Sequence, residues 1–441
     1  MSGAIDDQSP PAVNGAGRVV VRENDTAAFD QPIVIKKSGL SPHSDVTVEV
    51  GVVDALGLSW TGSGRSKADA RGHLSFDLSE VIAQIAPADG AALITRATER
   101  ADLGMRPAPD PDGGLTFTVD IKGEGGEAWT QLIRRHLEPA GIVAEMVREE
   151  PDVRGLLFKP LGGAPRAGVL LFAGSGGGID RNAAALLAGQ GYAVFAQALF
   201  AYDDLQPHMF EIPVERIGRG LAFMAERFAG VPLVLRGISK GSEGVAHAAL
   251  AYPDLVNGLV LWVPSPMATT GRGAEPGPRP LYTIRNEVIP YGIPPFADVL
   301  DDGPWDADAP LALAPVFERM WTDPAFDRFR LRFEKITCPL LLVSGDDDRI
   351  WPSELASRQI AERAKPSGVL VRHVQNSDAG HGFNVPGLSE AMTHIAFHPR
   401  QRMWLALGGT PLGNGGAAWR SWRAMLDFLA MIAARGHSVT P

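Results

Sequence analysis

Apolar and polar positions follow two different rhythms in the two parts of this chain. In the first part, runs such as Val46–Val53 and Leu115–Ile121 alternate apolar with polar residues, and Gly, Pro and Asp residues separate the runs. Alternation with a period of two is typical of strands that bury one face. The pattern therefore predicts an antiparallel β-sandwich over residues 18–150, with one short helix at Thr130–His136 near its end.

From Gly155 onward, apolar runs of strand length alternate with helical segments. Runs such as Gly168–Phe172 are apolar throughout, as in strands that are buried on both faces. This alternation predicts a mostly parallel sheet with helices on both faces, an α/β domain over residues 151–441. A Pro/Gly-rich insert at about 264–310 is long for a structureless connection, and we expect it to form part of the mouth of a substrate site.

Length, charge and cysteine content limit the class of protein. A chain of 441 residues is too long for one average core, so two domains are expected. Before them, residues 1–17 form a polar leader without an apolar centre, which is predicted to be disordered rather than a signal peptide. The net charge of −10 argues against nucleic acid or an anionic membrane as a partner. No apolar run approaches the roughly 18 residues of a membrane span. Cys338 is the only cysteine, so no internal disulfide can form and a reducing, cytoplasmic location is expected.

The segment Leu233–Glu243 carries the first candidate chemistry. A β-type run ends in the sequence Gly-Ile-Ser-Lys-Gly at 237–241, and small residues of helical character follow. This is the G-x-S-x-G pattern in the strand–turn–helix context of a nucleophile elbow, which lifts a serine hydroxyl above the sheet at a helix N-terminus. Ser239 is the predicted nucleophile; the alternative is an ordinary turn serine.

An acid and a base follow Ser239 in the order used by α/β-hydrolases. A buried strand breaks into three adjacent aspartates at 346–348, and His381 lies after a further strand, between two glycines. Serine needs a base to take its proton, and a carboxylate fixes the tautomer of that base. We predict His381 as the base, against the alternative of a surface-loop histidine. Asp348 is the predicted acid because the usual acid turn has its glycine three residues earlier, and Asp347 is the next candidate.

The glycine cluster at the end of Gly168–Gly178 is a candidate oxyanion hole. Glycines let backbone amides approach a substrate oxygen, and in this fold the loop after the third strand supplies one amide while the residue after the nucleophile supplies the other. Ser175 or Gly176 is assigned to the first amide and Lys240 to the second. A dinucleotide-binding loop is disfavoured because no acidic residue ends the next strand, Tyr192–Ala198.

Several segments of the chain are similar to those of one known family: Pro32–Pro42, Lys67–Phe76, Phe172–Gly178, Leu187–Val194, Tyr202–Leu205, Gly237–Gly241 and Gly345–Trp351. They resemble the acyl-CoA thioesterase / bile acid-CoA:amino acid N-acyltransferase family, over about residues 17 to 435. The glycine loop and the elbow are specific to that family. The resemblance implies Ser239 as nucleophile, Asp348 as acid and His381 as base, acting in the hydrolysis or aminolysis of an acyl-CoA.

Three functions on this site compete. The first is an acyl-CoA thioesterase, in which water deacylates Ser239; the second is an N-acyltransferase, in which an amino acid amine takes the acyl group. In the family that the chain resembles, amide-forming members characteristically have cysteine at the nucleophile position, so serine favours water, and Cys338 lies far from the elbow. The third is a carboxylester or peptide hydrolase on the same fold. A non-catalytic binding module is disfavoured because every catalytic position is filled, and no cofactor or metal is implied.

Three further residues near these motifs allow two interpretations each. Glu243 lies in the first turn of the helix after the elbow, where it is either a charge favoured by the helix dipole or a group that repels anionic acyl chains or orients an amine. Trp351 and Tyr202 are either core aromatics or walls of an acyl pocket.

Overall fold

Mainly antiparallel strands form the first part of the protein. The computed structural model describes residues 12–13, 19–22, 27–99, 105–271, 277–296, 305–398 and 402–436. The first nine strands are β1 (Ala12–Val13), β2 (Val19–Arg22), β3 (Val34–Lys37), β4 (Asp45–Val53), β5 (Ser59–Lys67), β6 (Leu74–Asp77), β7 (Ala86–Pro87), β8 (Gly114–Gly123) and β9 (Ala128–His136). Seven of them form one sheet in the order β1-β2-β9-β8-β4-β5-β7, and β3 pairs with β6.

Helices in this first part differ from the sequence-based expectation. The helix predicted at Thr130–His136 is wrong, because these residues lie in β9 and pair antiparallel with β8. Cross-strand pairing next to a long strand overrides a weak local helical pattern. Two helices that the alternation did not indicate, α1 (Ser79–Gln84) and α2 (Gly90–Glu99), lie instead between β6 and β8.

The second part is built on an eight-stranded sheet. The later strands are β10 (Ile142–Glu149), β11 (Val153–Pro160), β12 (Gly168–Phe172), β13 (Ala193–Ala198), β14 (Ile212–Pro213), β15 (Leu233–Ile238), β16 (Gly258–Trp262), β17 (Thr270–Gly271), β18 (Arg279–Pro280), β19 (Tyr282–Ile284), β20 (Glu287–Val288), β21 (Leu340–Gly345), β22 (Val371–Asn376), β23 (Ile395–His398) and β24 (Met403–Ala406). The sheet has the order β10-β11-β13-β12-β15-β16-β21-β22. In this sheet β13, β12, β15, β16, β21 and β22 pair in parallel, whereas β10 and β11 are antiparallel to their neighbours.

Helices cover both faces of this sheet. They are α3 (Arg181–Gly189), α4 (Val214–Arg227), α5 (Lys240–Ala251), α7 (Ser353–Ala364) and α8 (Pro411–Gly436), whereas α6 (Ala314–Thr322) packs in a separate apolar cluster. The 3-10 turns are at Pro324–Phe329, Phe333–Lys335 and Lys365–Ser367. Residues of β12 and β16 are buried at every position, which explains their uninterrupted apolar sequences. The predicted two-part α/β architecture, a parallel sheet with helices after an antiparallel β part, is confirmed by this topology. No helix within the described ranges is long and apolar enough to span a membrane.

The two parts share one apolar core. A cluster of buried side chains runs from the N-terminal sheet, through α3 and α8, to one face of the eight-stranded sheet, while a second cluster lies under α4, α5 and α7 on the other face. Since β10 belongs to the larger sheet, we propose that the division between domains falls between β9 and β10, slightly before the expected boundary at residue 150. Of the expected leader 1–17, only Ala12–Val13 is within the described residues, and it forms β1.

Candidate active site

Ser239 lies at the sharp turn between β15 and α5. Its backbone has φ 53° and ψ −123°, a conformation that residues other than glycine rarely adopt. A Cβ atom on Gly237 would lie 2.4 Å from the carbonyl oxygen of Gly241, and one on Gly241 would lie 2.5 Å from that of Ala173. Both distances are too short for a real side chain, so the two glycines of the motif are required for the turn to form.

His381 and Asp348 are placed in line with the serine hydroxyl. The Nε2 atom of His381 lies 2.9 Å from Ser239 Oγ, and its Nδ1 atom lies 2.8 Å from Asp348 Oδ2. Because an ionised carboxylate can only accept, Nδ1 carries the proton and Nε2 presents its lone pair to the hydroxyl. The side chain of Asp348 is fully buried, and its Oδ1 also accepts the backbone N–H groups of Ile350 and Trp351. This arrangement allows His381 to take the serine proton.

The neighbouring aspartates have other partners. Asp347 Oδ1 accepts from Arg349 Nε at 2.5 Å, and its Oδ2 accepts the backbone N–H of Gly409. Asp346 accepts the backbone N–H of Asp378 at 2.8 Å. Of the three carboxylates in this turn, Asp348 is therefore the one that meets the imidazole.

The expected oxyanion residues border the same space as the serine. Ser175, Gly176 and Lys240 line a cavity of about 380 Å³ together with Ser239 and His381. Lys240 is the first residue of α5, so its backbone N–H belongs to the helix N-terminus, where the helix dipole favours negative charge. The structure thus brings together all six residues that the sequence analysis named.

The rest of the cavity is mainly apolar. Its walls come from the insert, from α6 and the hairpin β23–β24 with their flanking residues, and from the loops that follow β13 and β21: Met209, Thr270, Pro294, Phe296, Leu313, Phe317, Ile350, Trp351, Ala396, Phe397, His398, Leu405 and Leu407. Such walls suit an apolar group that is held next to the serine. Thr270, Pro294 and Phe296 belong to the insert, so the insert contributes to the walls of this cavity.

Trp351 and Tyr202, which allowed two interpretations, have different positions. Trp351 is buried, donates its Nε1–H to Val263 O at 3.0 Å, and packs edge-on against His381 with ring centroids 5.4 Å apart. It is both a core residue and a wall of the cavity. Tyr202 is not among the residues that line the cavity.

Glu243, in the first turn of α5, is buried and bonded to residues beside the elbow. It is fully buried and accepts from Thr269 N at 2.9 Å, Thr269 Oγ1 at 2.7 Å and Lys240 Nζ at 3.1 Å. Glu243 does lie in the first turn of α5, as the interpretation of a helix-start charge has it, but it is buried, and it is not among the residues that line the cavity. The signal that could have indicated this role is a lysine three residues before the glutamate, on one face of the helix.

An arginine beneath the elbow was missed by the sequence analysis. Arg236 lies in β15, is fully buried, and donates from Nη1 to Asp180 Oδ2 at 3.0 Å and from Nη2 to Asn384 Oδ1 at 2.5 Å. Asn384 Nδ2 donates in turn to Asp180 at 2.9 Å, and the guanidinium lies over the ring of Trp262. Burial lowers the pKa of Arg236, and the nearby Asp180 carboxylate opposes that effect.

This triangle connects three segments around the site. Asp180 caps α3 directly after the glycine loop, Arg236 comes three residues before Ser239, and Asn384 comes three residues after His381. A charged residue inside an otherwise apolar strand was the available signal in the sequence, because an arginine is buried only with partners.

The chain is similar to known proteins over nearly its whole length. Residues 288–433 match the family model described as "BAAT / Acyl-CoA thioester hydrolase C terminal". Acyl-coenzyme A thioesterase 1 of Rattus norvegicus is 26% identical over 94% of this chain and 97% of its own. Acyl-coenzyme A thioesterase 2, mitochondrial, of Mus musculus is 27% identical over 95% and 92%. Among solved structures, a CIB-like hydrolase from Thermoplasma acidophilum is 15% identical, over 66% of this chain and 98% of its own, with a TM-score of 0.36.

The topology of the sheet and the turn that carries Ser239 define the class of protein. A parallel sheet flanked by helices, with a serine at a strand–helix elbow and the order Ser, Asp, His along the chain, is an α/β-hydrolase. Within that class, residues 288–433 match the BAAT / acyl-CoA thioester hydrolase C-terminal family model, and the chain as a whole is similar to proteins named as acyl-coenzyme A thioesterases.

Proposed function

We propose that this protein is an acyl-CoA thioesterase that works through an acyl-enzyme on Ser239. The observation that carries the proposal is the line of contacts from Asp348 through His381 to Ser239 Oγ, which ends at an apolar cavity. The relatives named as acyl-coenzyme A thioesterases support a CoA thioester as the substrate class. Serine at the elbow supports water as the acceptor.

In the first half of the reaction, His381 Nε2 takes the proton of Ser239 as Oγ attacks the thioester carbonyl carbon. Asp348 stabilises the imidazolium that forms. The carbonyl oxygen gains negative charge, and the backbone N–H of Lys240 with that of Ser175 or Gly176 would hold it. The carbon–sulfur bond then breaks, His381 returns the proton to the departing sulfur, and free CoA leaves.

In the second half, water takes the place of CoA. His381 removes a proton from the water as its oxygen attacks the ester carbonyl, and the same amides hold the oxyanion. The bond to Ser239 Oγ breaks and the hydroxyl regains its proton from His381. During both halves the apolar walls, among them Phe317 and Leu405, would hold the acyl chain away from water.

The test is a panel of short, medium and long acyl-CoAs incubated with the purified protein, with and without glycine or taurine. Products are separated by mass, and Ser239→Ala serves as the inactive control. We expect free acid and CoA in equal amounts even when the amine is abundant, and a loss of several orders of magnitude in the control. Dominant amide formation would instead favour the acyltransferase, and turnover of simple esters without any thioester would favour the general hydrolase.

A further inference from the structure

The segment that follows His381 is held against the N-terminal part of the protein. We define residues 382–390 as the histidine loop. Near its far end, Glu390 N donates to Ala83 O at 2.9 Å, and Ser389 Oγ donates to Ile85 O at 2.7 Å. These two carbonyl groups belong to the C-terminal end of α1, which leaves such groups without partners inside the helix. The N-terminal part therefore docks directly on a loop that begins at the catalytic base.

One side chain from the N-terminal part joins the two ends of this loop. Arg106 donates from Nη2 to Gly382 O at 3.0 Å, at the near end, and from Nε to Ser389 O at 3.2 Å, at the far end. The same Nη2 atom donates to both carboxylate oxygens of Glu390, at 2.9 and 2.8 Å. A planar guanidinium is suited to such a bridge because its donors diverge in a fixed fork.

Glu390 fixes the guanidinium in this position. Its side chain is 1% exposed, and it also accepts from Thr393 Oγ1 at 2.6 Å. Burial raises the pKa of Glu390, and the Arg106 cation is the largest effect that opposes it. An arginine that is bound to a buried carboxylate has little freedom to leave, so both carbonyl groups of the loop remain held.

Residues of the eight-stranded sheet bind Phe383 and Asn384, the two residues that follow Gly382 in the histidine loop. Trp262 Nε1 donates to Phe383 O at 3.0 Å, and Arg236 donates to Asn384. The carbonyl of Gly382 is bonded instead by Arg106. This carbonyl belongs to the residue next to His381, and a glycine gives the backbone more freedom than any other residue.

From these contacts we propose that Arg106 is a positioning residue for His381, supplied by the N-terminal part of the chain. By bridging Gly382 and Ser389 it closes the histidine loop and keeps Nε2 in line with Ser239 Oγ. The inference rests on the proposed function, since it needs His381 to be the base. A misplacement of about 1 Å in a catalytic group can cost on the order of 100-fold in rate, so a loosened loop has a measurable effect.

The test compares Arg106→Gln with two matched controls in the full chain. Arg134→Gln removes an arginine of similar exposure, 21% against 28%, which is paired with Asp110 and Asp112 but does not contact the loop. Ser389→Ala removes the hydrogen bond to Ile85 O but leaves the bridge from Arg106 in place. Thermal melting of each variant establishes that the rates are measured on folded protein.

Two rates are measured for each variant. The first is covalent labelling by a fluorophosphonate, in which Ser239 Oγ bonds to phosphorus, fluoride leaves and His381 takes the hydroxyl proton. The second is the turnover of an acyl-CoA. For Arg106→Gln we expect labelling and kcat to fall about 10- to 100-fold, with KM changed less than about threefold, because the base and not the pocket is disturbed. Both controls should stay within about threefold of the wild type.

A folded Arg106→Gln variant that is labelled as fast as the wild type would overturn the positioning role. If that variant does not fold, the decision passes to Arg106→Lys, which keeps the charge beside Glu390 but lacks the fork that reaches both carbonyl groups. We expect it to label about fivefold to tenfold more slowly, and a wild-type rate would again overturn the inference. A wild-type protein that reacts with neither the probe nor an acyl-CoA would overturn the proposed function itself, so the two failures are distinguishable.

Discussion

Ser239 has a backbone conformation that is costly for a residue with a side chain, and the surrounding residues keep it there. Its N–H donates to Trp262 O, and Ser242 N donates to Ser239 O, so the turn is held from both sides. The strain places Oγ above the sheet, where His381 Nε2 lies 2.9 Å away. The strained backbone of Ser239 thus brings its hydroxyl within hydrogen-bond distance of His381.

The choice among the three adjacent aspartates gives a prediction at the scale of single residues. In Asp348→Asn the amide can no longer hold His381 with its proton on Nδ1, so the lone pair on Nε2 is lost. We expect kcat to fall by about 10³- to 10⁴-fold. Asp347→Asn, whose partners are Arg349 and the N–H of Gly409, should change kcat less than about tenfold. Steady-state kinetics with one acyl-CoA measures both, and a larger loss for Asp347→Asn would remove Asp348 from the role of acid.

The sequence predicts the role of a residue where that role depends on neighbours in the chain, and it fails where the role depends on distant partners. The elbow around Ser239 is built from five consecutive residues, so its pattern is visible without any partner. The buried role of Glu243 was not visible, because its partner Thr269 is 26 residues away. Arg236 depends on Asp180 and Asn384, 56 and 148 residues away, and no local pattern specifies which distant side chains meet.

At the scale of elements, the helix α5 is joined to the insert by a buried ion pair. Lys240 and Glu243 lie three residues apart on the helix, and Glu243 holds Thr269, just before β17. The Lys240 ammonium also lies 5.5 Å from the ring centroid of Trp351, which belongs to the cavity wall. The helix α5 and one wall of the cavity are therefore fixed relative to each other.

Removing one member of this pair should destabilise the protein strongly. In Glu243→Gln the Lys240 ammonium stays buried without its carboxylate, and we expect a loss of about 3 kcal/mol in the free energy of unfolding. Glu362→Gln is the matched control, because Glu362, in the last turn of α7, and Lys365, directly after that helix, are also three residues apart but are both 68% exposed. It should cost less than about 0.5 kcal/mol. Urea unfolding followed by tryptophan fluorescence measures both, and equal losses would contradict a special role for burial.

The elements themselves were predictable where they repeat a strong pattern. Apolar runs such as Gly168–Phe172 are strands, because buried parallel strands need no polar face. Thr130–His136 has polar and apolar residues without a clear period. This segment is a strand because it pairs along the edge of the long strand β8. The short helix α1 is likewise stabilised by packing against α8, more than 300 residues later, and not by its own six residues.

At the scale of the whole molecule, the two parts meet through polar groups as well as through the shared core. Asp30, from the N-terminal part, accepts from Gln190 Nε2 at 2.8 Å and from Trp422 Nε1 at 3.3 Å, both on its Oδ2 atom. Its Oδ1 atom is buried and has no hydrogen-bond partner among the described residues. The interface between the parts therefore contains a carboxylate that is only half satisfied.

This carboxylate gives a prediction for the dependence of stability on pH. Burial raises the pKa of Asp30, and the hydrogen bonds from Gln190 and Trp422 only partly offset that effect. A carboxyl whose pKa is higher in the folded than in the unfolded protein favours folding when it is protonated. Its contribution is therefore present below the unfolded value of 3.8 and is lost as the pH rises through the folded pKa. Asp30→Asn stays neutral at every pH and should avoid this loss.

We expect Asp30→Asn to melt at or above the wild-type temperature at pH 7, by a few degrees at most, and the difference to disappear as the pH approaches 3.8. Asp69→Asn is a control of opposite sign, because backbone N–H groups of His73 and Arg71 lower the pKa of Asp69. That carboxylate stabilises the fold above its unfolded pKa, so its removal should lower the melting temperature at pH 7 and matter less in acid. Melting curves from pH 3 to 7 give both differences. An Asp30→Asn variant that melts well below the wild type at neutral pH, and recovers in acid, would show that the ionised carboxylate stabilises the contact between the two parts.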